Sequence, residues 1–596
     1  MLPRLAILGF LLVPWLALAQ GIAPDELARA PSPARISFLA DRAAEKGWGG
    51  AVPLLRAAAL QAYETNSGYA SAWYYLYRWA ALLGQPESTA LGQWVKQVER
   101  ARVGHANMER KVTAQPGDLV RYWSRDLQLF ALGSPSFSEE FFTTIAPVDN
   151  PVMVLSLLQT LYGTGPARFA DYQNLAIAIA VVYDVPPPPG WPHGQVSAQA
   201  LPRQMPKPDE AFDYWVKADR ENRTAQRLRR LGAAELKFVV DTGALFTELN
   251  WAQQNIRQPL ADFAKVYDLV RYRKDRQEAN QFMWPKPTYL LPVILAEGGI
   301  CVDQAYFACM AGKARGIPTL LFRGAGLDGR HAWFGYLDGT QNWQLDGGRY
   351  ADQKFVVGLA YDPQTWGNIN DYELLFMSER FRALPSYRLS MMHAEFASEY
   401  ERDGKHALAL KAAREAVNRE HRNLAAWNML LQAQEALTTD PRVMEGALRE
   451  AAVSFQKYPD LERAFALQLV QSLRARGETS AADFEEQRLA RKYQTGRVDL
   501  SIQQAADIME RSMKQDDAAA QMRNYQQALD SYGRGAGMDF YDKVVRPFAV
   551  HLQAAGQLPA AIQSVERARQ YLRLEKGGQL EAEISALLAK LKTGQK

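Results

Sequence analysis

Glu297-Gly298-Gly299-Ile300-Cys301-Val302-Asp303-Gln304-Ala305 decides how this chain is read, because two glycines end one element and a thiol opens the next. A helix starting at Cys301 would turn its unpaired N–H donors and the positive end of its dipole toward the sulfur, which favours thiolate. Arg315-Gly316-Ile317-Pro318 closes that helix with a glycine suited to the C-terminal cap and a proline beyond. Ala305, Ala308 and Ala311 give it small residues for close packing. Downstream, Thr319 to Arg323, His331 to Leu337 and Asn342 to Asp346 are short, aromatic-rich and separated by glycine-bearing turns, the pattern of strands.

A nucleophilic thiol needs a base, and His331 is the only histidine between His193 and His393. Its strand meets Asp338-Gly339, a dipeptide suited to a two-residue type I′ hairpin. In that register Leu337 pairs with Thr340 and His331 stands opposite Asp346, whose carboxylate would orient the imidazole. A one-residue slip would put the two on opposite faces. Asp303 is expected to load the first helical turn and Cys309 to be a small buried residue. Asp328, Asp338 and Asp352 read as turn residues. The Cys301 N–H supplies one oxyanion donor; Gln281, Trp284 and Tyr289 have suitable side chains for a second, and their spacing selects none of them.

Four elements, Gly299-Ile300-Cys301, Arg315-Gly316-Ile317-Pro318, His331-Ala332-Trp333 and Trp343-Gln344-Leu345-Asp346, together resemble the transglutaminase-like superfamily of papain-type cysteine enzymes. The resemblance implies an α+β core over about residues 265–385, with Cys301 as nucleophile, His331 as general base and acid, and Asp346 orienting the imidazole. It implies acyl transfer on amide bonds of a protein or peptide substrate through a thioacyl-enzyme, by a peptidase, an amidase or a transglutaminase-like acyltransferase, with no cofactor or metal. That superfamily also holds catalytically dead copies. The rival expectation is therefore an inactive domain in a helical-repeat binding scaffold.

The remaining sequence sets the context. The chain has 596 residues, 48% hydrophobic, with a net charge of +4 and no long block of one sign, so no nucleic-acid footprint is visible. Arg4 followed by an apolar run to Leu18 and Ala19 reads as a cleaved signal peptide over residues 1–19, placing the protein in the periplasm or outside the cell. The next longest apolar run, Leu175 to Tyr183, is too short to span a bilayer, so no stable membrane insertion is expected after cleavage. Cys301 and Cys309 are the only cysteines, and on one helix they would lie ~12 Å apart along the axis, too far for a disulfide. No histidine–carboxylate cluster at metal spacing, Walker loop or GxSxG elbow occurs.

Residues 20–183 read as a helical region, in which the aromatic stripe Trp73, Tyr74, Tyr75, Tyr77 and Trp79 is expected to be packing. Residues 184–209 are a Pro-rich linker or loop and the best domain boundary, and 210–389 hold the transglutaminase-like domain with its leading helices. In 390–596 the step Gly-x4-Ala recurs at Gly404/Ala409, Gly477/Ala482 and Gly556/Ala561, and Trp427 stands 34 residues after His393. This resembles tetratricopeptide-type helical hairpins, an α-solenoid expected to recruit a protein partner or substrate and to supply none of the chemistry. The expected fold is thus multidomain and mostly α-helical, with one α+β domain.

Overall fold

The computed structural model describes residues 22–101, 113–350, 356–438, 440–493, 496–515, 517–533 and 536–593. The expected signal peptide and Asp352 lie outside the described residues. The protein is mostly helical with one small antiparallel sheet.

The aromatic stripe forms a helix, Ala70–Leu83, in which Trp73 and Trp79 are fully buried. Each indole N–H is satisfied, Trp73 donating to the Arg29 carbonyl at 2.9 Å and Trp79 to Ser138 Oγ at 2.8 Å, so these rings are core. The apolar run becomes helix α1, Gln173–Tyr183, buried from Leu175 through Val182. A helix apolar on all sides belongs at the centre of a core and not at a surface, and α1 packs against the helices Pro151–Gly163 and Ala233–Val240.

The Pro-rich segment has neither helix nor strand between Val185 and Lys207, but it is packed. Val185, Trp191, His193, Val196 and Leu201 are buried, and the Gln195 carbonyl accepts from Trp284 N at 2.8 Å. One continuous apolar core crosses it, running from Ile22 to Phe396. The N-terminal helices and the α+β part therefore share an interior.

The helix expected at the thiol is α2, Cys301–Ala314, with every residue after Cys301 buried. It lies on a five-stranded sheet of order β3-β2-β1-β4-β5, made of β1 (Thr319–Ala325), β2 (Arg330–Leu337), β3 (Trp343–Gly347), β4 (Leu359–Tyr361) and β5 (Asn368–Asn370). Gly312 lets the helix close on the sheet, since a Cβ there would sit 2.4 Å from Thr319 Cγ2. Lys313 is buried beneath, its Nζ donating to the carbonyls of Phe238 at 2.7 Å and Thr319 at 2.9 Å and to Asp241.

The hairpin register differs from expectation. Leu337 pairs with Trp343 and Tyr336 with Gln344, and beyond a bulge Phe334 pairs with Gly347. The cause is Asp338, whose Oδ1 accepts from Thr340 N at 2.7 Å and Asn342 N at 3.1 Å. This Asx-type closure widens the turn to Asp338–Asn342, with the left-handed residue at Gln341 (φ 62°) instead of Gly339.

From Pro385 onward the chain is a series of packed helices. Gly404, Gly477 and Gly556 each follow a helix end with φ of 69°, 79° and 74°, conformations that favour glycine. Ala409, Ala482 and Ala561 are buried where the following helix crosses its neighbour. The recurrence is thus a helix stop and a packing residue. The first helix of this series, Pro385–Arg402, docks on the N-terminal region, where Phe396 stacks on Tyr63 at 4.1 Å and Glu399 accepts from Arg56 at 2.7 Å. Helices α3 (Pro459–Ala475), α4 (Val498–Gln515) and α5 (Gln579–Thr593) come back toward the sheet.

Candidate active site

Both glycines before Cys301 are demanded by backbone crowding. Gly298 has φ 76°, and a Cβ on it would stand 2.4 Å from the Arg271 carbonyl oxygen. A Cβ on Gly299 would stand 2.3 Å from Asp303 Cβ. Gly299 N donates to Arg271 O and Arg273 N to Gly299 O, both at 2.9 Å, so the turn is stitched to a neighbouring segment. Asp303 then caps the helix start, accepting from Ile300 N at 2.9 Å, Arg276 Nη1 at 2.9 Å and Tyr289 Oη at 2.7 Å. His193 completes this buried chain. Its Nδ1 accepts from Gln195 N at 3.3 Å, and its Nε2 lies 3.1 Å from Tyr289 Oη. Burial, with Arg203 and Arg323 nearby, lowers the His193 pKa to about 3, so the ring is neutral.

Cys301 is the first residue of α2, and its sulfur lies against the Ala332 N–H, next to His331. Tyr267 locks the two elements together by donating to the Ala332 carbonyl at 2.9 Å and to the Cys301 carbonyl at 3.3 Å. The expected lowering of the thiol pKa is overturned. Burial pushes it up, and the backbone N–H groups of Ala332, Val302 and Cys301 offset that only in part. Cys309 is buried more deeply and pushed up to about 12. Neither cysteine is in a disulfide.

His331 is buried in β2, with Nε2 at 2.8 Å from the Gly348 carbonyl. A carbonyl only accepts, so Nε2 is the nitrogen that donates to it. Tyr350 stacks on the imidazole at 4.2 Å. Gly348 has φ 82°, and Tyr267 crowds it so closely that a Cβ would lie 2.4 Å from the ring.

Asp346 is not at His331. With the turn widened, it points to solvent, its side chain 57% exposed, and accepts from Arg349 Nη1 at 2.9 Å. The orienting acceptor observed on His331 is a backbone carbonyl, two residues along. Of the side chains considered for the oxyanion, Trp284 Nε1 donates to Thr288 O, Tyr289 donates to Asp303, and Gln281 is exposed.

Cys301 and His331 open into one cavity of about 900 Å³. Its floor includes Arg323, Gly324 and Ala332, and its near rim His193 and Gln195. The opposite wall comes from the C-terminal helices, with Asp460 and Arg463 of α3, Val498 to Gln503 of α4, and Ala536 to Lys543. The division of labour expected from the sequence is corrected here, since residues beyond 390 build part of the site. The wall is latched to the β1–β2 hairpin tip. Met538 N donates to Gly326 O at 3.0 Å and Leu580 N to Asp328 O at 2.9 Å, and Arg330 pairs with Asp542 at 2.8 Å and with Glu583.

Gly348, Tyr267 and the helical wall were missed by sequence reasoning. Only the Gly347-Gly348 pair after Asp346 offered a local signal. Among the described residues no group of side chains could hold a metal ion, and no helix is long and apolar enough to cross a membrane. In comparisons with known proteins no family model, curated protein or solved structure matches this chain.

Proposed function

We propose that the protein is a cysteine-dependent acyl-transfer enzyme acting on amide bonds of a protein or peptide. The observation that carries this reading is the helix-start thiol of Cys301 held against the residue next to His331, both opening into one cavity. Cys301 Sγ attacks the amide carbonyl while its proton passes to His331 Nδ1, and the Gly348 carbonyl holds the imidazole by its other N–H. The N–H donors at the start of α2 face the developing oxyanion. His331 returns the proton to the departing amine, leaving a thioester that water or a second amine resolves. The raised thiol pKa favours proton removal during attack over a preformed ion pair. That same shift supports the second reading, an inactive transglutaminase-like domain in a binding scaffold.

In this reading the domain is transglutaminase-like, the C-terminal helices form a tetratricopeptide-like solenoid offering a surface to a partner, and the protein is exported. The test is alkylation by iodoacetamide and hydrolysis of a small activated amide, followed in wild type, Cys301→Ala, Cys309→Ala and His331→Ala. Loss of both activities in Cys301→Ala and of hydrolysis in His331→Ala, with Cys309→Ala active, is the expected result. Equal behaviour of the two cysteine variants would sink the reading.

A further inference from the structure

The cavity around Cys301 holds many charges, and nearly all are neutralised within the protein. Arg330 is held by Asp542 and Glu583, Arg463 by Asp507 at 2.8 Å, and Lys543 by Asp539 at 3.0 Å. The carboxylates Asp460 and Asp499 are both taken by Arg497, at 2.7 and 2.9 Å. Arg323 is the exception. It makes no ion pair or hydrogen bond among the described residues, and its guanidinium lies over the Tyr361 ring at 4.8 Å. It is half-buried on the cavity floor, where its five N–H donors have only the ring face as a partner.

We propose that Arg323 is the seat for a substrate carboxylate, so that the acyl donor is an acidic peptide bearing a carboxylate about three residues from the bond that Cys301 attacks. This rests on the thiol reading above and deepens it. The distance follows from the sheet. Ala332 at the sulfur is on β2, its partner Arg323 is on β1, and Tyr361 is on β4 beyond. Two strand spacings of about 4.8 Å, with Tyr361 two residues further along β4 than Leu359, the partner of Arg323, place the guanidinium on the order of 12 Å from the thiol, the length of about three extended residues. A half-buried guanidinium gains most from an ionised, planar acceptor that meets it with two oxygens, which a carboxylate does and a carboxamide does not. The face of the Tyr361 ring attracts the guanidinium and holds it at that end of the cavity.

The probes are succinyl-Ala-Ala chloromethyl ketone and its acetyl-capped counterpart, which differ in a carboxylate at that distance. In each, the Cys301 sulfur bonds to the methylene carbon, the carbon–chlorine bond breaks, chloride leaves with the electron pair, and the thiol proton goes to His331. Inactivation rates of the full chain are read by intact mass, with iodoacetamide as a separate reporter of the thiol. The succinyl probe is expected to react about tenfold faster or more in wild type. That ratio should fall to near one in Arg323→Gln and be partly kept in Arg323→Lys, with circular dichroism confirming both folds. A ratio near one in wild type, or one undiminished in Arg323→Gln, overturns the carboxylate seat. So does labelling of Cys301 by iodoacetamide but by neither ketone. Failure of iodoacetamide itself to label Cys301 overturns the thiol reading, and this inference with it.

Discussion

Gly537 is the point at which the C-terminal helices can be pried from the active site by one methyl group. A Cβ there would stand 2.1 Å from the Leu327 carbonyl oxygen and 2.3 Å from Leu327 Cα, both backbone atoms that cannot rotate aside. Ordinary contact begins near 3.4 Å, so in Gly537→Ala the hairpin tip and the wall must part by more than about 1 Å. The adjoining bonds, Met538 N to Gly326 O at 3.0 Å and Leu580 N to Asp328 O at 2.9 Å, are then stretched beyond hydrogen-bonding reach. Each contributes about 1 kcal/mol net, and the Arg330 pairs, with that side chain 40% exposed, add less than ~1 kcal/mol after screening. The latch weakens by about 2–3 kcal/mol, or roughly 30- to 150-fold in the ratio of docked to undocked wall. Hydrogen–deuterium exchange at the Met538 and Leu580 amides should accelerate at least tenfold, and alkylation of Cys301 by iodoacetamide should rise with it. Cys309, buried in α2, stays unlabelled. Wild-type exchange at both amides would refute the latch.

Asp346→Asn should leave the hydrolysis rate within about twofold of wild type, because the carboxylate faces solvent and pairs with Arg349; a drop of a hundredfold would restore it to the site. The pH profile of Cys301 alkylation should keep climbing through pH 9, since burial raises the thiol pKa. The sign for stability is the reverse. The folded thiol holds its proton more tightly than the unfolded one, so the contribution of Cys301 is full below the unfolded pKa of about 8.5 and fades as pH rises past it. Alkylation that levels off near neutrality, read by mass spectrometry, would mean a preformed thiolate–imidazolium pair.

The elements around the thiol were legible because their signals are local. Gly298-Gly299 before Cys301, Gly316 with φ 65° after α2, and the short aromatic-rich run of β2 between glycine-bearing turns each constrain the backbone where they stand. The register was not legible, because it hangs on whether Asp338 caps its own turn, a contest between two geometries open to the same residues. β4 and β5 escaped notice because three residues each are too few to show an alternation. The His331 acceptor escaped for a deeper reason. A backbone carbonyl has no residue type, and the only trace it leaves is the glycine that aims it.

The helical wall changes what the C-terminal helices are for. The helices that carry Ala409, Ala482 and Ala561 contribute no residue to the cavity, so the Gly-x4-Ala pattern sets helix packing and is silent on which helices meet the candidate site. The decision lies in the hairpin tip, where Gly537 admits the Leu327 backbone at a distance no other residue allows and Gly578 lies against the Asp328 carboxylate. The cavity at Cys301 lies between this wall and the sheet, so under the proposed function the helices would select a substrate by shape and charge before any chemistry begins. A chain ending near residue 390 would expose the cavity and remove that selection together with one side of the site. It should therefore lose activity on small and large amides alike, where a detachable recruiting module would spare the small one.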